Sequence, residues 1–127
     1  MACLIDTNIL IDALDPQVPA PIAARIVDAI ADDARYSVIT RIELLGWRGH
    51  TEASRQSTES LLAALVQVPL SPAVANAAID IRAVLPVKLP DAIIATSALV
   101  EGLPLMTRNV GDFKRIPGLT VIDPFRE

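Results

Sequence analysis

Residues 2–8 read Ala2-Cys3-Leu4-Ile5-Asp6-Thr7-Asn8. A short apolar run that ends abruptly in an acid and two turn-forming residues predicts a buried strand over Ala2–Ile5. The chain then turns at Asp6 into a helix over Ile9–Leu14. The same succession continues downstream. Pro21 opens a helix with Ile22, Ile26, Val27 and Ile30 on its inner face. Tyr36–Ile39 is rich in strand-forming residues, and Thr40 after it caps a helix containing Ile42, Leu44 and Leu45 that stops around Gly46–Gly49. Glu52–Val66 reads as helix and Gln67–Leu70 as strand. Ser71-Pro72 pairs an N-cap with a first-turn proline and starts a helix to about Leu85. Pro90 begins a helix over Asp91–Val100 that is apolar nearly all round and therefore buried. Leu103–Thr107 and Leu119–Ile122 close the pattern as strands, with turns at Gly102 and Gly118. Strands alternating with helices predict a three-layer α/β domain, one domain over residues 1–127, with a mainly parallel central sheet. In such sheets ligands bind where strand carboxyl ends and helix amino ends gather along one edge.

Composition narrows the chemistry. The 127 residues are 52% hydrophobic and 20% charged, which excludes a disordered chain. Aromatic residues make up only 3%, too few for a base-stacking platform. The formal charge of −4 argues against binding nucleic acid through a basic surface, although a divalent cation can offset acids locally. The single cysteine, Cys3, excludes an internal disulfide and a Cys-rich zinc site, and the single histidine, His50, excludes a site with several His ligands. Cys3 reads as a small core residue and His50 as exposed. No secretory signal is evident. The uncharged apolar stretch that comes nearest to a membrane candidate, Ala92–Val100, is about half the ~20 residues that a spanning helix needs. The expectation is a soluble cytoplasmic protein with no membrane partner.

Chemistry is therefore left to oxygen ligands. Asp6, Glu43 and Asp91 stand where a strand hands over to a helix or where a buried helix begins. Each has an ordinary local role. Asp6 can cap a helix, Glu43 can complete a capping box with Thr40, and Asp91 can complement a helix dipole. Taken together they say more, because all three are flanked by apolar residues and buried carboxylates are costly unless paired or bound to metal. On the predicted sheet they converge on one edge, where Mg²⁺ or Mn²⁺ would relieve their mutual repulsion; an oxygen-only donor set suits those ions and not zinc. The segment Thr107-Arg108-Asn109-Val110-Gly111-Asp112-Phe113 follows a strand on the same edge, and Asn109 and Asp112 offer further oxygens. Thr7, Asn8 and Thr107 are placed to orient the acids from behind. Arg82, Lys88 and Arg108 are the candidate phosphate-gripping cations. Trp47 reads as core or as an interface anchor.

Four segments in this order resemble a known family: Leu4-Ile5-Asp6-Thr7-Asn8, Thr40-Arg41-Ile42-Glu43-Leu44, Leu89-Pro90-Asp91-Ala92-Ile93-Ile94-Ala95, and Thr107-Arg108-Asn109 with Asp112-Phe113. They are similar to PIN domains, and more narrowly to the VapC-type ribonuclease toxins of prokaryotic toxin–antitoxin pairs. The resemblance covers residues 2 to 123. It implies a Rossmann-like α/β fold and a Mg²⁺- or Mn²⁺-dependent endoribonuclease. The family's first acid falls on Asp6, its glutamate on Glu43 and its central aspartate on Asp91. The fourth position is Asp in many members; here Asn109 occupies it and Asp112 lies three residues on, so either supplies that group. The implied candidate set is Asp6, Glu43, Asp91, Asn109 and Asp112, with Asp6 and Asp91 as metal ligands. The implied partners are RNA, a VapB-type antitoxin and a second copy of the chain. Two other enzyme classes fit less well. A haloacid-dehalogenase-type phosphatase needs Asp at position 8, where this chain has Asn8, and a response-regulator receiver needs a mid-chain phosphoacceptor Asp that Val66–Pro72 does not supply. The serious alternative is a catalytically inert PIN-like binding module.

Overall fold

A computed structural model describes residues 2–126. Five short strands, β1 (Leu4–Ile5), β2 (Arg35–Ser37), β3 (Val66–Val68), β4 (Leu105–Met106) and β5 (Val121–Ile122), alternate with seven helices. The helices are α1 (Thr7–Leu14), α2 (Ala20–Ala31), α3 (Val38–Leu45), α4 (Glu52–Ala63), α5 (Pro72–Val84), α6 (Leu89–Glu101) and α7 (Val110–Phe113). Every strand pair is parallel and the sheet order is β3-β2-β1-β4-β5. The chain leaves β1 toward β2 on one side and returns later to β4 on the other. The junction of β1 and β4 is thus the point at which the strand order reverses, where a parallel sheet opens a crevice at its carboxyl edge.

Period-two alternation along the strands builds a core on each face of the sheet. Cys3, Ile5 and Met106 point to one side and pack with Ile9, Leu10, Ile26 and Leu44. Leu4 and Leu105 point to the other and pack with Ile94, Ala95, Ala98, Phe113 and Ile116. Helix α6 supplies the centre of that second face. Its residues Ala92 through Ala98 are all buried, and their small side chains let α5 pack against it through Val74 and Ala78. Gly102 ends α6 in the left-handed conformation, φ +67°, which a glycine adopts without steric cost.

Several local expectations need correcting. Helix α3 begins at Val38, and its cap is Ser37, whose side chain accepts from the Ile39 N–H. Thr40 lies inside the helix and is fully buried, so it does not cap, and no capping box with Glu43 forms. The chain's capping box is instead at Thr51 and Ser54, opening α4. Val27 is exposed, because the buried stripe of α2 is centred on Ile26. Val66 belongs to β3, not to the preceding helix, and the four-residue helix α7 was not foreseen. His50 is only partly exposed; its ring bonds the Leu44 carbonyl and the Ser54 hydroxyl and so ties α3 to α4.

Phe113 is fully buried and joins α7 to the second core. Phe113→Ala is expected to lower unfolding stability by about 3–5 kcal/mol in urea titration, as other large aromatic truncations do.

Candidate active site

Asp6 follows β1 directly and is 6% exposed. Both of its oxygens are held. Oδ1 accepts from the Thr7 N–H at 2.8 Å, which caps α1, and Oδ2 accepts from the Thr107 hydroxyl at 2.7 Å. Thr107 follows β4, so this second bond spans the crevice between the two central strands. Thr107 in turn accepts from the Asn109 N–H at 3.0 Å and, more weakly, from the Asn8 amide at 3.4 Å.

The other acids act on Asp6 and on one another. Burial pushes the Asp6 carboxyl above the ordinary carboxylate range; the hydrogen bonds from Thr107 and Thr7 oppose that rise, and the charges of Asp91 and Glu43 add to it. Asp91, half-buried in the first turn of α6, is raised too. Burial is the main cause, the charges of Asp112 and Glu43 reinforce it, and Lys88 works against it. Asp6, Glu43, Asp91 and Asp112 therefore share one electrostatic environment, although they come from four separate parts of the chain. Among the described residues Asp91 makes no hydrogen bond or salt bridge. Glu43 departs from expectation in being exposed, since α3 turns its inner face elsewhere. Its Oε1 accepts from the Thr7 hydroxyl at 2.7 Å.

The two candidates for the fourth position differ in their surroundings. Asp112 is the one whose charge reaches Asp91. The amide of Asn109 donates to Asp112 Oδ2 at 2.7 Å, so Asn109 orients Asp112. The basic candidates divide similarly. Lys88 precedes α6 and is the cation that acts on Asp91. Arg82 donates to the Val87 carbonyl at 3.1 Å. Arg108 lies 3.1 Å from the buried Asp12 carboxylate and stacks over Phe125, 5.2 Å from its ring centre.

The donor set suits a hard divalent ion: oxygen ligands only, two carboxyls raised by burial and like charge, and one of those two without any hydrogen-bonding partner. Among the described residues no three Asp, Glu, His or Cys side chains gather closely enough to hold an ion directly.

Beside Thr7 and Glu43 opens a mainly apolar groove of about 690 Å³, walled by Ile11, Leu14, Leu44 and Trp47. Sequence reasoning missed it. Its walls come from α1, α3, α4 and the loop that joins α3 to α4, and only Trp47 gave a signal. Sequence reasoning also missed Thr40, whose hydroxyl lies 2.9 Å from that of Thr7; its position three residues before Glu43 had suggested a cap. No described helix is long and apolar enough to cross a membrane.

A parallel α/β sheet with coupled carboxylates at the reversal of strand order defines the class to which known proteins can be compared. The PIN domain model matches residues 3–119, and the chain belongs to that family. Among solved structures it is similar to a chain of a toxin–antitoxin complex from Klebsiella pneumoniae, with 33% identity, a TM-score of 0.78, and coverage of 96% of this chain and 97% of that one. It is similar to a chain of DNA-bound VapBC from Salmonella typhimurium, with 28% identity, a TM-score of 0.84, and coverage of 98% and 99%. VapBC-1 from nontypeable Haemophilus influenzae gives 29% identity, a TM-score of 0.83, and coverage of 99% and 100%. No curated protein matches the sequence.

A raised carboxyl in the folded state binds its proton more tightly than in the unfolded chain. Its contribution to stability is therefore greatest below the unfolded pKa and is lost as pH rises through the folded one. In the absence of divalent ions, Asp91→Asn should make the protein more stable than the parent at pH 7. That advantage should fade below about pH 4, where Asp is protonated in the unfolded chain as well. Chemical denaturation across pH measures it.

Proposed function

We propose that this protein is a metal-dependent endoribonuclease, the toxin of a VapBC-type toxin–antitoxin pair, acting in the cytoplasm. The observation that carries the reading is the buried Asp6 carboxylate, raised by its surroundings and by the charges of Asp91 and Glu43. Such a carboxylate at a ligand-binding edge is a candidate functional group on physical grounds.

In this reading Asp6 and Asp91 hold one Mg²⁺ or Mn²⁺ ion. Bound there, the ion would supply the charge that polarises a phosphodiester and the acidity that makes water a nucleophile near neutral pH. The chain's own groups do the positioning. Thr107 and the Thr7 N–H fix the two Asp6 oxygens. Glu43 and Asp112 accept hydrogen bonds from water at the site, and Asn109 keeps Asp112 in place. Asn8 steadies Thr107, and Lys88 grips a phosphate oxygen, with Arg82 and Arg108 as further contacts along the strand. Water attacks phosphorus in line and the 3′ oxygen departs, leaving a 3′-hydroxyl and a 5′-phosphate. With a net charge of −4, the chain lacks a general electrostatic hold on RNA, which favours selective cleavage of one structured RNA.

The neighbours from Klebsiella, Salmonella and Haemophilus support an antitoxin partner, since they are chains of toxin–antitoxin or VapBC assemblies. The groove beside Glu43 offers an apolar antitoxin segment a place to dock and cover the acids. A homodimer completes the reading.

With Mn²⁺ present, Asp91→Ala should lower cleavage of a sensitive RNA by at least about 100-fold while circular dichroism and unfolding remain cooperative. Cleavage by that variant at the parent rate would refute the assignment. Absence of cleavage by the parent on a broad RNA set, together with absence of saturable Mn²⁺ binding, would favour the inert binding module.

A further inference from the structure

Buried hydroxyls inside the helices show a consistent habit, with one exception. Thr58 donates to the Ser54 carbonyl at 2.9 Å, Thr96 to the Ala92 carbonyl at 2.9 Å and Ser97 to the Ile93 carbonyl at 2.7 Å. Each proton goes to the carbonyl four residues back, the local bond that helical Ser and Thr commonly make. Thr40 does not do this. It lies in the first turn of α3, and the residue four back, Tyr36, belongs to β2. Thr40 is 0% exposed, and its hydroxyl has one neighbour among the described residues, the Thr7 hydroxyl at 2.9 Å.

That contact can run in either direction, but proton counting leaves one arrangement. The Thr7 hydroxyl has one proton and two oxygen neighbours, Thr40 Oγ1 at 2.9 Å and Glu43 Oε1 at 2.7 Å. If Thr7 donated to Thr40, the Thr40 proton would have no acceptor in a fully buried position, and such an orphaned donor is costly. If Thr40 donates to Thr7, every group is satisfied. Thr7 is then compelled to donate to Glu43, which must accept. We propose that Thr40 is a positioning residue: by donating to Thr7 it fixes the polarity of a Thr40–Thr7–Glu43 chain and holds Glu43 as an oriented acceptor at the edge of the site.

This inference rests on the ribonuclease reading for its purpose, not for its geometry. Its effect is to tie Oε1 of Glu43 to the protein while Oε2 makes no hydrogen bond with the described residues. A long, exposed side chain on α3 is thereby anchored to α1, one residue from Asp6. Chained hydrogen bonds also polarise one another, so removing the first donor weakens the second bond.

Calorimetric titration with Mn²⁺ tests the proposal on the parent, Thr40→Val, Thr40→Ser, Glu43→Ala and the Thr40→Val/Glu43→Ala pair. Thr40→Val keeps the shape and removes the hydroxyl. It should weaken Mn²⁺ binding about threefold to tenfold, less than the loss of a group that touches a metal ligand directly. Thr40→Ser should restore the parent affinity, and Thr40→Val should add no further loss once Glu43 is alanine. Parent-like Mn²⁺ affinity in Thr40→Val, or an equal loss with and without Glu43, would overturn the proposal. Urea unfolding of the same five proteins without metal gives a second, independent reading. Thr40→Val should shift the unfolding equilibrium at least about threefold less in the Glu43→Ala background than in the parent. Equal shifts would overturn the relay. If the parent bound no Mn²⁺ while this coupling was present, the ribonuclease reading would fail and the relay would stand.

Discussion

One carboxylate, buried between two parallel strands, sets the terms for everything around it. Asp6 is carried into the crevice because β1 is apolar on both faces and the sheet reverses its strand order just there. Water is largely excluded, so the protein must supply the partners. It does so from both sides of the reversal. A backbone N–H opens α1 against one oxygen, and a threonine hydroxyl at the end of β4 meets the other. The same bonds that make burial tolerable also fix both oxygens in direction.

The negative charges around Asp6 work against the fold in isolation. Asp91 and Glu43 raise its proton affinity, and Asp112 and Glu43 do the same to Asp91. Structural ion pairs normally disperse such repulsion, yet Arg108, two residues after the β4 strand, pairs with Asp12 and stacks on Phe125. In the proposed reading, a site that concentrates like charge and leaves Asp91 without a hydrogen-bonding partner among the described residues would take up a cation. The net charge of −4 fits the same proposal, because a bound ion would reverse charge locally and stand in for a basic face.

Much of the fold was legible in the sequence. Apolar runs that end in an acid or a hydroxyl, followed by amphipathic stretches with prolines in their first turns, gave the parallel α/β order directly. The helix over Asp91–Val100 was recognisable as buried because it carries no charged residue between Asp91 and Glu101. The errors share one cause, which is that tertiary contacts override local signals. Thr40 and Ser37 are both capable caps, and only the end of β2 decides that Ser37 is used and that Thr40 turns toward Thr7. Glu43 lies between apolar residues and so read as buried, but α3 buries Leu44 and leaves Glu43 at the groove. Asn109 and Asp112 could not be separated by spacing alone; their mutual hydrogen bond and the reach of Asp112 toward Asp91 divide their roles. The groove itself has no sequence signature, since its walls are residues scattered over α1, α3, α4 and the loop that joins α3 to α4.

The central claim is that these carboxylates exist to share a divalent ion. Crystals soaked in Mn²⁺ and measured near the manganese absorption edge test it most directly. The account predicts an anomalous peak at the β1–β4 crevice, in contact with the carboxylates of Asp6 and Asp91 and otherwise surrounded by water. A fully soaked crystal with no peak there, or with manganese bound only elsewhere on the surface, would contradict it.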